Sequence, residues 1–185
     1  MASNKTEPLK IVVIGTGYVG LPAALMLAKA GHQVVGVDID ENIVRAINEG
    51  ILLVKGEQLE SIMNDPIVRQ NLNAQSTPCD ADVFIIAVPT PLDQTSKTAN
   101  LDMVIDATKS IVPHLTNGNL IILESTVPPL TCRNLITPII ENEGFKIGQD
   151  IYLAHCPERI LPGDIFYEIV HNDRLIGSFD QKTQQ

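Results

Sequence analysis

The chain has 185 residues, 44% of them hydrophobic and 19% charged, enough for one sizeable core and at most a fragment of a second domain. Thirteen Lys and Arg against 22 Asp and Glu give a net charge of −9, which excludes the basic field that draws a protein to nucleic acid or to an anionic membrane surface. The apolar runs at 11–14, 83–88 and 120–123 fall far short of the roughly 20 residues of a membrane helix, so neither nucleic acid nor membrane is expected as a partner.

The chain opens on MASNKTEPLK, which is polar and unlike a signal peptide; residues 1–8 are expected to be disordered. From there short β-branched runs alternate with helical patterns. Strands are predicted at 10–14, 33–37, 81–88, 119–123 and 150–154. Helices are predicted at 18–30, where Val19, Ala23 and Leu27 share a face, at 41–48 with a stop at Gly50, and at 101–112. Residues 58–71 have helical spacing broken by Pro66 and should form two short helices. A last helix, 130–143, contains Pro138, which should bend it or end it early. The final FDQKTQQ reads as an unanchored polar end. This rhythm is that of βαβ units and implies an α/β fold, a Rossmann-like doubly wound, mainly parallel sheet with helices on both faces.

The first strand runs directly into Gly15-Thr16-Gly17-Tyr18-Val19-Gly20, a GxGxxG between a strand and a helix. In that context Gly15 permits the tight turn, Gly17 lets the backbone approach a pyrophosphate, and Gly20 lets the helix pack on the strand. The helix N-terminus is then aimed at the phosphates. The second strand ends in Asp38, where a carboxylate can accept hydrogen bonds from both hydroxyls of an adenosine ribose. The same charge repels the extra phosphate of NADP, and the nearest arginine in sequence is Arg45. NAD is therefore the expected cofactor.

The later strands end in polar motifs at the same edge. Val88-Pro89-Thr90-Pro91 is a rigid surface turn or a device that presents Thr90 to a ligand. In Glu124-Ser125-Thr126-Val127-Pro128-Pro129, Thr126 is a helix cap or a ligand contact. In His155-Cys156-Pro157-Glu158-Arg159-Ile160-Leu161-Pro162-Gly163-Asp164, Glu158 is a general base or a surface carboxylate beside Arg159. Cys156 follows an apolar strand without an activating partner and reads as a buried structural thiol rather than a nucleophile. Cys79, Cys132 and Cys156 fit neither a disulfide framework nor a CxxC metal site, which points to a reducing cytoplasm. His32, His114, His155 and His171 lack metal-ligand spacing, and no metal is expected.

GTGYVGLP, Asp38, VPTP, ESTVPP and CPERILPGD, in this order, together resemble the UDP-glucose/GDP-mannose dehydrogenase family over about residues 9–177. The stretch from Glu158 onward, with the later NDRLIG, is most similar to its UDP-N-acetylmannosamine dehydrogenase branch. The resemblance implies oxidation of the C6 hydroxymethyl of a UDP-sugar to a carboxylate in two hydride transfers to NAD, through a thioester on a catalytic cysteine, in nucleotide-sugar metabolism and polysaccharide biosynthesis. It assigns Gly15, Gly17, Tyr18, Val19 and Gly20 to the pyrophosphate, Asp38 to the ribose, and Thr90 and Thr126 to the cofactor near the reacting centre. Thr126 also matches a threonine that positions a catalytic water. Glu158 matches the glutamate that assists thioester hydrolysis, and Arg159, Ile160, Leu161 and Pro162 fall on the stretch that lines the nucleotide-sugar site.

The resemblance places 9–177 as an NAD-binding domain and 178–185 as a polar tail. The family's dimerising helix with its catalytic lysine, and the CxPKD segment with its cysteine, have no counterpart in these residues. The chain alone is expected to bind NAD without turnover, with UDP-sugar as the substrate and a homodimer as the state of the longer family members. Smaller departures are Gly177-Ser178, where a second glycine is usual, and Pro138. Two other readings share the first Rossmann unit: a stand-alone NAD-binding module and a β-hydroxyacid-type dehydrogenase, whose substrate loop differs from CPERILPGD.

Overall fold

The computed structural model describes residues 7–52, 57–158, 168–169, 171–180 and 183. Its first two strands, β1 (Lys10–Ile14) and β2 (Gln33–Val37), have the predicted bounds. Each is a β-branched run buried on both faces, the pattern of a central parallel strand. Between them lies α1 (Gly20–Lys29), which carries Pro22 in its first turn, where a missing N–H costs no hydrogen bond. Helix α2 (Glu41–Glu49) is capped by Asp40, whose side chain accepts from the Asn42 N–H, and stops at Gly50 in the left-handed region with φ +77°. The 58–71 stretch forms two helices as expected, α3 (Glu57–Met63) and α4 (Pro66–Asn71), the second starting at Pro66 with Asp65 as its cap.

Strand β3 (Leu72–Gln75) was not predicted. LNAQ has no apolar run, and what pins it to the sheet is tertiary: Asn48 accepts from the Ala74 N–H at 2.8 Å and donates to the Ala74 carbonyl at 2.9 Å. Strand β4 (Val83–Ile86), helix α5 (Asp102–Ile111) and strand β5 (Leu120–Leu123) follow. The predicted strand at 150–154 begins later, as β6 (Tyr152–His155), because Asp150 belongs to a turn in which its carboxylate accepts from the Lys146 N–H.

The helix predicted at 130–143 runs past Pro138 to Glu141. A π-helical turn, Cys132–Ile136, widens the backbone ahead of α6 (Thr137–Glu141), where Pro138 sits in the first turn. The wider turn removes the demand for a donor at Pro138 that a continuous α-helix would make. Leu130, just before this helix, has φ +68° and is 60% exposed. A left-handed leucine with little burial to offset the strain is unfavourable. Leu130→Gly is expected to stabilise the chain by about 0.5 kcal/mol, the released strain less the added flexibility of the unfolded state, read as a raised denaturant midpoint.

The seven strands are ordered β3-β2-β1-β4-β5-β6-β7. All neighbours are parallel except the short β7 (Gly177–Ser178), which pairs antiparallel with Ala154 and His155 of β6. Side chains alternate across the sheet. Ile11, Val13, Val34 and Val83 pack under α1 and α3, whereas Val12, Ile14, Phe84 and Leu123 pack under α5 and α6. Each fully buried aliphatic side chain contributes about 1.5–3 kcal/mol, and both faces are covered, as a parallel sheet requires. The chain reverses direction across the sheet between β1 and β4, the switch point at which such sheets open a crevice beyond their carboxyl ends.

The residues expected in an unanchored tail are partly held. Ser178 pairs with Ala154, the Arg133 guanidinium lies 5.5 Å from the Phe179 ring centroid, and the Asp180 carboxylate accepts from the amide and hydroxyl of Thr183. Residues 1–6 lie outside the described part. No helix among the described residues is long and apolar enough to cross a membrane.

Candidate functional site

At the switch point the carboxyl ends of β1, β2, β4 and β5 enclose a cleft of about 900 Å³. The β1–α1 turn forms one wall, and its three glycines answer to three different surroundings. Gly15 has φ +87°, and a Cβ there would lie 2.7 Å from the Ala87 carbonyl oxygen at the end of the neighbouring strand. A Cβ on Gly20 would collide with the Gly15 carbonyl oxygen, so the helix can start this close to the strand only with glycine. A Cβ on Gly17 would meet no protein atom within 4 Å. That space is open cleft, free for a ligand to approach the backbone. Tyr18 and Val19 line the same wall. No side chain caps α1, which leaves its first N–H groups and its dipole to an anion.

Asp38 follows β2 at the edge of the cleft. Its Oδ2 accepts from the Thr16 amide at 2.9 Å and the Thr16 hydroxyl at 3.0 Å, while Oδ1 accepts from the Asp40 amide at 3.1 Å. These bonds fix the carboxylate; Oδ2 already takes two donors, and the remaining acceptor capacity lies on Oδ1, which takes one. Thr16 is itself buried and packs its methyl against Gly36, where a Cβ would lie 2.8 Å away. Neither Thr16 nor Gly36 was singled out from sequence. The readable signal was a glycine inside the β-branched run QVVGV, directly before the acid.

The opposite wall comes from the ends of β4 and β5. Thr90 donates from its hydroxyl to the Thr126 carbonyl at 2.7 Å, and Ser125 donates to the Val88 carbonyl at 2.7 Å. These bonds tie the two strand ends together and orient both threonines at the cleft. Thr126 is not a helix cap: the next helical residue is Thr131, beyond the two prolines. It is exposed within the cleft instead.

Glu158 is not a surface carboxylate. Its side chain is 11% exposed and pairs with the Arg174 guanidinium at 3.1 Å. The same guanidinium lies 3.3 Å from Glu124 Oε1 and 3.9 Å from the Cys156 sulfur. Cys156 is buried, as expected. Glu124 is buried as well, and among the described residues its Oε2 has no hydrogen-bond partner. Burial, helped by the like charge of Glu158 and opposed by Arg174, pushes the Glu124 carboxyl up to about 7. Sequence reasoning gave roles to neither Glu124 nor Arg174. A charged residue closing the apolar run LIIL was a signal for the first, whereas Arg174 lies 50 residues from Glu124 and only the fold brings it there. Arg159, Ile160, Leu161 and Pro162 lie outside the described residues.

Comparison with known proteins gives a consistent result. Residues 9–185 match the model of the UDP-glucose/GDP-mannose dehydrogenase family, NAD binding domain. A UDP-N-acetyl-D-mannosamine dehydrogenase of Methanococcus aeolicus is 44% identical over 99% of this chain, which spans 41% of that relative's length. Among solved structures, the UDP-N-acetyl-mannosamine dehydrogenase of Staphylococcus aureus superposes with a TM-score of 0.89 at 43% identity, over 94% of this chain and 42% of the other. The corresponding enzyme of Pyrococcus horikoshii gives 0.88 at 35% identity, again over 94% of this chain and 42% of the other.

Proposed function

The chain belongs to the UDP-glucose/GDP-mannose dehydrogenase family as its NAD-binding domain, and on that premise we propose that it serves a dehydrogenase that oxidises the C6 hydroxymethyl of a UDP-sugar to a carboxylate with two NAD. UDP-N-acetylmannosamine is the substrate favoured by the relatives named above, ahead of UDP-glucose or UDP-N-acetylgalactosamine. The observation that carries the reading is the single cleft that joins the Gly15–Gly20 turn and Asp38 to Thr90, Thr126 and Glu158.

The residues present fit the cofactor. Open space over Gly17 admits a pyrophosphate to the backbone, where the amides of Tyr18, Val19 and Gly20 and the α1 dipole stabilise its charge. Asp38, held by Thr16, accepts from the ribose hydroxyls. Thr90 and Thr126 orient the nicotinamide half, and Thr126 positions a water at the reacting centre. Bound NAD supplies the hydride acceptor. Glu158, held by Arg174, acts as base toward that water, and Arg159, Ile160, Leu161 and Pro162 contact the nucleotide-sugar. Residues 9–177 form the cofactor domain and 178–185 its polar end.

Residues 1–185 hold NAD by themselves, whereas turnover and a homodimer are proposed for the whole family protein, of which these residues match about 41% in a relative. A reducing cytoplasm, and a place in polysaccharide biosynthesis, go with this reading; the three free cysteines support the first.

A thermal melt of the chain with NAD, with NADP and without ligand tests the proposal. At a hundredfold excess over Kd, NAD should stabilise the fold by about 2.7 kcal/mol, and NADP should give a much smaller shift because Asp38 repels its 2′-phosphate. Asp38→Asn should weaken NAD binding roughly tenfold through the lost charge-assisted bonds and narrow the gap to NADP. An equal response to both nucleotides in the native chain would reject Asp38 as the ribose ligand.

A further inference from the structure

We propose that Glu124 is the proton-holding group at the nicotinamide end of the cleft: it holds its proton more tightly while the cleft is empty or holds NADH than when NAD+ is bound, so that NAD+ binding releases protons and selectivity for NAD+ over NADH rises with pH. The inference rests on the NAD reading of the cleft and goes beyond it by linking cofactor redox state to a titratable side chain.

Two carboxylates, Glu124 and Glu158, share one guanidinium, Arg174. With both ionised the cluster carries −1 in a buried place, and with one proton it is neutral. Of the two, Glu124 is the better place for the proton. It sits at the end of a core strand, 6% exposed, with its Oε2 unpartnered among the described residues, and a carboxylate oxygen without a donor is costly to bury as an anion. Glu158 makes the closer contact with the guanidinium. The raised Glu124 carboxyl, at about 7, agrees with this division.

The groups that face Glu124 come from each packed element. Glu158 and Cys156 follow β6, Arg174 precedes β7, and His155 of β6 sets its Nε2 3.3 Å from the Ser125 carbonyl. Asp106 of α5 lines the same cleft. Arg174 is the one permanent cation among these groups, and it is already shared.

The cleft has an orientation. Asp38 and the Gly15–Gly20 turn take the adenosine and pyrophosphate, which leaves the Glu124–Thr126 and Glu158 end for the nicotinamide. NAD+ and NADH differ in charge only in that ring, which is cationic in the first and neutral in the second. A cation arriving beside a buried carboxyl favours its ionised form, and by linkage the ionised form favours the cation. The proton leaves Glu124 Oε2 for solvent, and no electrons move in the binding step.

The test is calorimetric titration of the 185-residue chain with NAD+ and with NADH from pH 6 to 8.5 at constant ionic strength, repeated in two buffers of different ionisation enthalpy to count protons. The ratio of the NADH to the NAD+ dissociation constant should rise about tenfold across the range. NAD+ binding should release a fraction of a proton that peaks near pH 6–7 and vanishes above about pH 8, with no release for NADH. Glu124→Gln should flatten both trends, with its fold checked by circular dichroism; the proton count on the native chain stands without the variant. If both nucleotides bind with a pH-independent ratio and no proton release, or if the trends persist in Glu124→Gln, the inference is overturned and the NAD reading stands. If neither nucleotide binds at any pH, the NAD reading has failed and the inference with it.

Discussion

Gly17→Val should leave the melting temperature of the free chain within about 2 °C of the native value and weaken NAD binding by more than about a hundredfold, whereas Gly20→Val should prevent folding. The two glycines stand three residues apart in one turn and look equivalent in a sequence motif. Their surroundings separate them. A side chain at Gly17 enters open cleft, and that backbone does not need the left-handed region, so nothing in the protein resists it. What resists is the ligand: a branched side chain fills the approach of a pyrophosphate to the backbone, and the loss of the amide contacts together with the clash exceeds about 2.7 kcal/mol. At Gly20 even one methyl strikes the Gly15 carbonyl oxygen, and either the turn or the α1–β1 packing must give way at a cost of about 3 kcal/mol or more. Thermal melts and NADH fluorescence titration on both variants decide the matter. A Gly17→Val chain that still binds NAD normally would place the pyrophosphate elsewhere.

Arg174→Met should cost about 3–5 kcal/mol of stability at pH 8 and much less at pH 5. The substitution keeps the apolar stem and removes the guanidinium, so Glu124 and Glu158 are left facing each other without a counter-charge. The Glu124 carboxyl, already raised by burial and now without the opposing Arg174 charge, rises further above its unfolded-state value, and the folded chain binds more protons than the unfolded one. A group with that sign weakens the fold as pH increases from the unfolded value to the folded value. The native protein has the same slope in milder form. With Glu124 raised from an ordinary 4.5 to about 7, stability on the order of 3 kcal/mol is lost between those pH values, and Glu124→Gln should remove the slope. Urea unfolding of the three proteins at pH 5 and pH 8 measures it. Equal destabilisation of Arg174→Met at both pH values would mean that the arginine acts through packing alone.

Much of the glycine-turn wall of the cleft was legible because local sequence dictates it. KIVVI and QVVGV are β-branched runs whose burial on both faces leaves them no other role, and the glycine spacing after the first places the turn where the strand must end. The polar motifs after β4 and β5 were legible for the same reason, as punctuation at the carboxyl edge. The edge strand LNAQ was not, because its place depends on the side-chain amide of Asn48. Pro138 was read in part: the helix ends at Glu141, short of residue 143, but a proline rule written for α-helices takes no account of a π-helical turn just ahead of it. The charge cluster was half legible. Glu124 stands out as a carboxyl closing an apolar strand, but its partner arrives from 50 residues away, and no periodicity or spacing connects them.

Strand β7 is two residues long and hangs on the sheet by its pairing with Ala154 and His155, whereas β1 is flanked by full ladders on both sides. Amide protons of β7 are expected to exchange with solvent faster than those of β1, through small local openings that leave the rest of the sheet closed. Arg174 is carried on the segment leading into that strand, so each such opening is expected to lift the guanidinium from both carboxylates while the glycine turn and Asp38 stay in place. The two ends of the cleft are thus expected to differ in local stability: the glycine-turn end is built on a strand paired on both sides, and the charge balance of the other end depends on a two-residue edge strand.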